Sequence, residues 1–388
     1  VIAVGAGKAG PGMALGLEAA LAGRLDTVEG VVNVPEGVTA ALKKIRIHAA
    51  RPQGVNEPTA AGVAGAEQML RLLQSAGPED VAVCLLSGGG SALLPAPVEG
   101  VSLADKLAIT KLLHRSGATI DEMNCVRKHL SRVKGGRLAD AFRGKRLLSL
   151  VISDVVGDPL DVIASGPTAP DPTTFAVALE VLRKFDLLAA APRAVLEYLE
   201  HGSEGKHPET LKALPANVEN RIIGSNRVAL HAAKRCAEEL GYRVLDLGSF
   251  VEGETRHVAT AVAGVARGVV CDGTPVQPPA CILLGGETTV TLGNNPGKGG
   301  RNLEFVLAVL AKLGAAIARV TVLSGGTDGE DGPTDAAGAV ADANTPRAEA
   351  QCYLDRHDAY TFFDRAGGLI KCGLTGTNVM DVRVILIR

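Results

Sequence analysis

Gly5-Ala6-Gly7-Lys8-Ala9-Gly10 sets a lysine inside a GxGxxG turn, between an apolar run at 1–4 and a helical pattern at 11–21. Such a turn lets a backbone approach a pyrophosphate closely. Glu36 lies near the end of the next apolar run, about where a ribose-binding acid would stand, so a nicotinamide dinucleotide is one reading and a packing turn another. The charge of Lys8 favours an anion in that turn, a phosphate or a carboxylate. The GxxxxGK[ST] phosphate loop is absent from the chain.

Three further apolar runs end in tandem glycines followed by a hydroxyl or a carboxylate. They close on Ser87-Gly88-Gly89-Gly90-Ser91, on Gly285-Gly286-Glu287-Thr288 and on Ser324-Gly325-Gly326-Thr327-Asp328. Glycines at strand ends let backbone N–H groups converge on an anion; a flexible strand-to-helix turn is the plainer alternative. Cations accompany them. Arg127-Lys128-His129 and Lys134-Gly135-Gly136-Arg137 form one group, read as an anion contact or a solvated helix face. Lys298-Gly299-Gly300-Arg301 precedes a helical pattern, where Arg301 could fork onto a carboxylate or phosphate.

The acids fall in two loops. Asp154 and Asp158 follow a buried run four residues apart, and Asp328, Glu330, Asp331 and Asp335 crowd a second loop. Magnesium takes a few carboxylates with phosphate oxygens and waters, so Asp154, Asp158 and Asp328 are its candidate ligands. Asp154 is also placed to accept an alcohol proton. The second loop lacks the closing glutamate of an EF-hand. Amide-rich turns, cations and metal-binding acids are the parts of phosphoryl transfer, which works by positioning and charge neutralisation.

These residues need strands that end together and helices that back them. Apolar runs at 1–4, 30–34, 80–86, 146–153, 220–223, 243–247, 280–284, 320–323 and 382–387 read as strands. Helical spacing is expected at 11–21, 57–74, 103–116, 175–185, 227–240, 255–270 and 302–313. Strand–helix alternation over 388 residues, with 47 glycines, 3% aromatic residues and no tryptophan, suits two α/β domains. The polar, proline-containing stretch 201–216 is the expected connector, giving domains at 1–217 and 218–388.

A net charge of −2 and the lack of basic blocks argue against nucleic acid as a partner. No apolar stretch is long enough to span a membrane. Seven single cysteines without a CxxC pair suit a reducing compartment, and a cytoplasmic location is expected. The chain opens inside a strand, so residues are expected upstream, with room there for an organellar leader. The sequence leaves the oligomeric state open between a monomer and a homodimer.

The sequence resembles the glycerate kinases that carry a MOFRL domain, the glycerate 2-kinase type. The likeness rests on VGAGKAG (4–10), LLSGGGSALLPAP (85–97), NCVRKHLSRVKGGRLA (124–139), SDVVGDPLDVIASGPT (153–168) and IIGSN (222–226). It continues through LLGGET (283–288), GKGGRNLE (297–304), LSGGTDGEDGPTDAAGA (323–339) and LTGTNVMD (374–381). It departs at residues 49–54, where relatives commonly carry His-Pro. The resemblance implies an N-terminal Rossmann-like parallel sheet with flanking helices, a C-terminal α/β MOFRL domain and an active-site cleft between them. It also implies ATP, Mg²⁺, D-glycerate and a phosphoglycerate product, usually 2-phosphoglycerate, with Lys8, Asp154 and Arg301 matching cleft positions. Ser87, Gly88, Gly89, Gly90, Ser91, Gly285, Gly286, Glu287, Gly325, Gly326 and Asp328 are then the expected nucleotide cradle. A hydroxypyruvate reductase using a nicotinamide cofactor and a non-enzymatic small-anion binder are the competing readings.

Overall fold

The computed structural model describes the chain except residues 53, 54 and 56, so part of the departure at 49–54 lies outside the described residues. The chain divides into two compact units, Val1–Ile152 with Asp158–Ile223, and Ser153–Gly157 with Gly224–Arg388.

The first unit is built on six strands, β1 (Ile2–Ala6), β2 (Glu29–Pro35), β3 (Ile45–Arg51), β4 (Val81–Leu86), β5 (Arg146–Ile152) and β6 (Val218–Gly224). Their order is β3-β2-β1-β4-β5-β6, and β1 to β5 run parallel. That is the doubly wound dinucleotide-fold order, whose direction reverses between β1 and β4. β1 is buried at every position and β4 at all but its first, so both read as continuous apolar runs instead of alternating ones. Helices Gly10–Ala20 and Ala60–Gln74 pack on these strands. A separate core of Ile109, Leu113, Val126, Phe175, Leu182 and Leu199 joins helices 103–115, 120–129, 175–184 and 193–203. Capping boxes at Ser102/Asp105 and Thr119/Glu122 start two of them.

The second unit has strands β7 (Arg243–Asp246), β8 (Ala280–Gly286), β9 (Val320–Gly326), β10 (Gly338–Ala341), β11 (Leu369–Ile370) and β12 (Asp381–Ile387). The order is β11-β10-β9-β12-β8-β7. β7 and β8 are parallel, while β12 runs antiparallel between β8 and β9. Helices Thr255–Asp272 and Arg301–Leu313 pack on each other and close the core with Phe305, Val306, Leu310, Ile385 and Ile387.

Most expected elements are found within a few residues of their expected ends. Strand β3, helix 193–203 and the strands β10 and β11 at one edge of the second sheet were not anticipated. β3 alternates charge and apolar residues (Ile45, Arg46, Ile47, His48) at a sheet edge, so it shows no buried run. Helix 193–203 overlaps the expected connector: Val195 and Leu199 are buried although its surface is heavily charged.

Candidate functional site

In the first unit, β1 and β4 are neighbours, and the turns that leave their carboxyl ends interlock. The Lys8 backbone N–H donates to Gly88 O (2.9 Å), and the Ala9 N–H donates to the Ser87 hydroxyl (3.0 Å). Gly7 has φ +144°, and a Cβ there would overlap Ser87. Glycine is therefore required for the two turns to approach. Gly89, at φ +77°, sits between the Lys8 stem and Arg51, and Gly90 packs on Ala164. Lys8 and the Ser87–Ser91 turn thus share the point where strand order reverses, the usual ligand crevice of such sheets. Arg51, buried at the end of β3 with burial lowering its pKa, is a cation at this turn that sequence reading missed.

Behind the turn, Gly135 and Gly136 take left-handed φ values of 58° and 79° and donate their N–H groups to Ser165 O and Gly166 O (3.1 and 2.7 Å). This stitching aims Lys134 Nζ at the Ser91 hydroxyl (2.7 Å) and carbonyl (2.8 Å). Arg127 donates to the same hydroxyl. Lys128 is instead neutralised by Asp161 (3.2 Å) and Asp171 (3.3 Å), and His129 contacts Glu209 (3.1 Å) and Cys125 O (2.8 Å), so the basic segment divides between a structural and a site-facing part.

In the second unit, the register sets Asp381 opposite both Gly286 and Gly326, so the ends of β8 and β9 meet the start of β12. Gly285 packs on Asn226 and donates its N–H to Gly248 O (2.9 Å); the Gly326 N–H goes to Ala337 O (2.8 Å). These glycines serve close strand packing, with Gly325 facing Gly338 and Val382 in the sheet. Arg301 opens helix 301–313 and forks onto Asp381, Nε to Oδ2 at 2.7 Å and Nη2 to Oδ1 at 3.0 Å, while Nη1 meets Glu287 at 2.9 Å. Burial works against its charge, but Asp381, Glu287 and Asp331 hold the guanidinium above its usual pKa. One hydrogen on each terminal nitrogen remains beyond these bonds.

Three of the four acids of loop 328–335 have separate surroundings. Asp331 accepts from the Asn302 and Leu303 backbone N–H groups (3.0 and 2.8 Å), capping the helix that Arg301 begins. Burial pushes its carboxyl up to about 6, against those two bonds. Asp335 turns to Tyr360 (2.6 Å) and Lys371 (3.0 Å). Asp328 acts on Glu287, as do Asp381 and Asp154; burial first, then these three carboxylates, raise the Glu287 pKa while Arg301 opposes them. Asp154 therefore belongs with the second unit, and Asp158 with the first. What reads as one acidic loop is divided. Lys298 lies over the Tyr360 ring (3.7 Å to its centroid).

Among the described residues, no three His, Cys, Asp or Glu side chains stand close enough to hold a metal ion by themselves. Asp154 and Asp328, which both act on Glu287, offer hard carboxylate oxygens of the kind Mg²⁺ takes together with phosphate oxygens and water. No helix among the described residues is long and apolar enough to cross a membrane.

Residues 1–200 match the DUF4147 family, a domain of unknown function, and residues 280–381 match the MOFRL family. The chain is 38% identical to the glycerate 2-kinase of Pyrococcus horikoshii, over 100% of this chain and 87% of that one. It is 41% identical to a protein of Agrobacterium vitis named "Putative hydroxypyruvate reductase", over 100% of this chain and 87% of that one. The crystal structure of the glycerate kinase from Thermotoga maritima superposes with a TM-score of 0.90 at 36% identity, covering 100% of this chain and 91% of the other. With full-length identity, both family matches and the same fold, the chain belongs to the MOFRL-containing glycerate kinase family.

Proposed function

We propose that this enzyme transfers the γ-phosphoryl group of ATP to a hydroxyl of D-glycerate, giving 2-phosphoglycerate. The observation that supports this best is the siting of Lys8 against Ser87–Ser91 at the reversal point between β1 and β4. Lys8 offsets charge on the transferring group. Arg301, oriented by Asp381 and Glu287, directs its remaining N–H groups at a phosphoryl oxygen. Asp154 takes the proton of the attacking hydroxyl or shares Mg²⁺ with Asp328, with Glu287 beside them. When bound, Mg²⁺ neutralises polyphosphate charge.

The test supplies purified protein with ATP, Mg²⁺ and D-glycerate and identifies the product by ¹H and ³¹P NMR. Stoichiometric ADP and 2-phosphoglycerate are expected. NADH oxidation with hydroxypyruvate, with no phosphorylated product, would overturn the kinase reading in favour of a reductase.

A further inference from the structure

Lys106 is an anomaly of the first unit. It is 8% exposed, on the inward face of helix 103–115 beside Ile109 and Leu113, and among the described residues its ammonium has no hydrogen-bond partner. Burial, then Arg127 and Arg137, pull its pKa down to about 7. Lys134, 2% exposed, is likewise pulled well below its usual value by burial and then by Arg127, Lys106 and Lys128. Among the described residues, the charged groups that act most strongly on either lysine include no carboxylate. Lys128 differs, since Asp161 and Asp171 neutralise it.

The hydroxyls here are fully oriented. Ser91 Oγ accepts from Lys134 and Arg127, so its own hydrogen points to Ser165 Oγ (2.9 Å), which in turn donates to Asn124 Oδ1 (3.0 Å). Ala164 and Ser165 hold left-handed φ values of 52° and 62°, uncommon for residues with a Cβ, to bring that hydroxyl in. One neutral oxygen thus serves two cations, with a third close by and unpartnered. Buried charge without a counter-charge is strongly unfavourable. An oxyanion supplies what is missing: negative charge, and several acceptor lone pairs for Lys106 and Arg127. Arg127 and Ser91 are part-exposed, so the cluster is reachable.

We propose that Arg127 and Lys134, which meet at Ser91, together with the neighbouring Lys106 form the subsite for the carboxylate of the acid substrate. This rests on the kinase reading above. It follows from the chemistry of the alternatives: Arg301 is already forked on Asp381 and crowded by acids, and the kinase reading gives Lys8, at the glycine turn, to the phosphoryl group. The carboxylate needs cations without a counter-charge, and these three supply them.

The experiment compares wild type with Lys106→Met and Arg127→Gln, each checked for native circular dichroism. Lys106→Met replaces an unpartnered buried charge by an apolar chain of similar length, so folding is expected to be retained. The subsite requires the KM for D-glycerate to rise on the order of tenfold to a hundredfold in both variants, with the KM for ATP within about twofold. Without ATP, D-glycerate is expected to raise the Tm of wild type but not of the variants, and glycerol, which lacks the carboxylate, to raise neither. An unchanged glycerate KM in active variants overturns the subsite. So does stabilisation by inorganic phosphate but not glycerate that the variants lose, since the cluster would then hold a phosphoryl group. If wild type makes no phosphoglycerate, the kinase reading fails by itself, and the Tm comparison still decides whether the cluster binds the carboxylate.

Discussion

Arg301 and Asp381 are joined by two parallel hydrogen bonds of 2.7 and 3.0 Å, across 80 positions of sequence. Asp381 is fully buried and also accepts from Arg383 (2.9 Å) and Asn302 (2.9 Å), so one carboxylate orients two arginines and the first turn of helix 301–313. Arg383 is itself fully buried, packed over the Phe305 ring with its centre 5.0 Å from the ring centroid. Removing Asp381 leaves the buried Arg383 without its counter-charge and Arg301 with only the part-exposed Glu287 as a direct partner. Asp381→Ala is expected to destabilise the protein by about 3–5 kcal/mol, read as a lowered urea midpoint. Glu287→Gln, removing the part-exposed partner of the same arginine, is expected to cost under about 1 kcal/mol. Equal losses from both would show that the buried fork is not what fixes Arg301.

Gly7→Ala is expected to be severe. The new methyl would meet the Ser87 hydroxyl and also the Ser87 backbone, at a φ of +144° that residues with a Cβ rarely adopt. Ser87→Gly removes only the hydroxyl part of the overlap, and it also removes the acceptor of the Ala9 N–H. The double variant is therefore expected to remain as unstable as Gly7→Ala alone. Thermal unfolding of the three variants checks this, and restoration of the wild-type Tm in the double variant would show the obstacle to be the side chain only.

Lys8→Ala is expected to lower kcat at least a thousandfold while changing Tm by no more than a few degrees. The lysine is part-exposed, and its turn is fixed by backbone bonds and by Ser87, which the substitution leaves in place. A coupled ADP assay with circular dichroism on the same preparation decides it. Near-normal turnover would remove Lys8 from the reaction.

The parts of the site that could be read from sequence are those carried by contiguous motifs. Lys8 and the run Ser87–Ser91 stand at the ends of unmistakable apolar runs, and the fold places those runs side by side as β1 and β4. Arg301 could be picked out as a residue but not in its bonding, because Asp381 reaches it only through the insertion of β12 between β8 and β9. Asp154 and Asp158 share the loop after β5, and the boundary between the two compact units, which sequence distance does not show, falls between them. Lys106 did carry a signal. It shares the i, i+3, i+7 spacing of Ile109 and Leu113, so helical periodicity alone puts a lysine on an apolar face. Arg51 carried none, since β3 is an edge strand of mixed polarity.

The Asp331 carboxyl makes stability depend on acid in an unusual direction. Its pKa is about 6 in the fold against an ordinary 3.8, because burial outweighs the two backbone N–H groups that favour its charge. Between about pH 4 and 6 the folded state therefore binds more protons at this group than the unfolded chain does. Its contribution to stability must fall as pH rises through that window, by about 3 kcal/mol in all, and stay level above it. Most carboxylates, held below their ordinary values, act in the opposite sense. Asp331→Asn cannot ionise, so the difference in stability between wild type and the variant isolates the effect. That difference, from urea midpoints at half-unit steps from pH 4 to 7, is expected to shift in the variant's favour up to about pH 6 and then level off. The absolute stability of the variant does not enter, since the amide also replaces one acceptor by a donor facing the Asn302 and Leu303 N–H groups. A difference that stays constant across the window would mean that those two bonds hold Asp331 ionised at the head of the helix that carries Arg301.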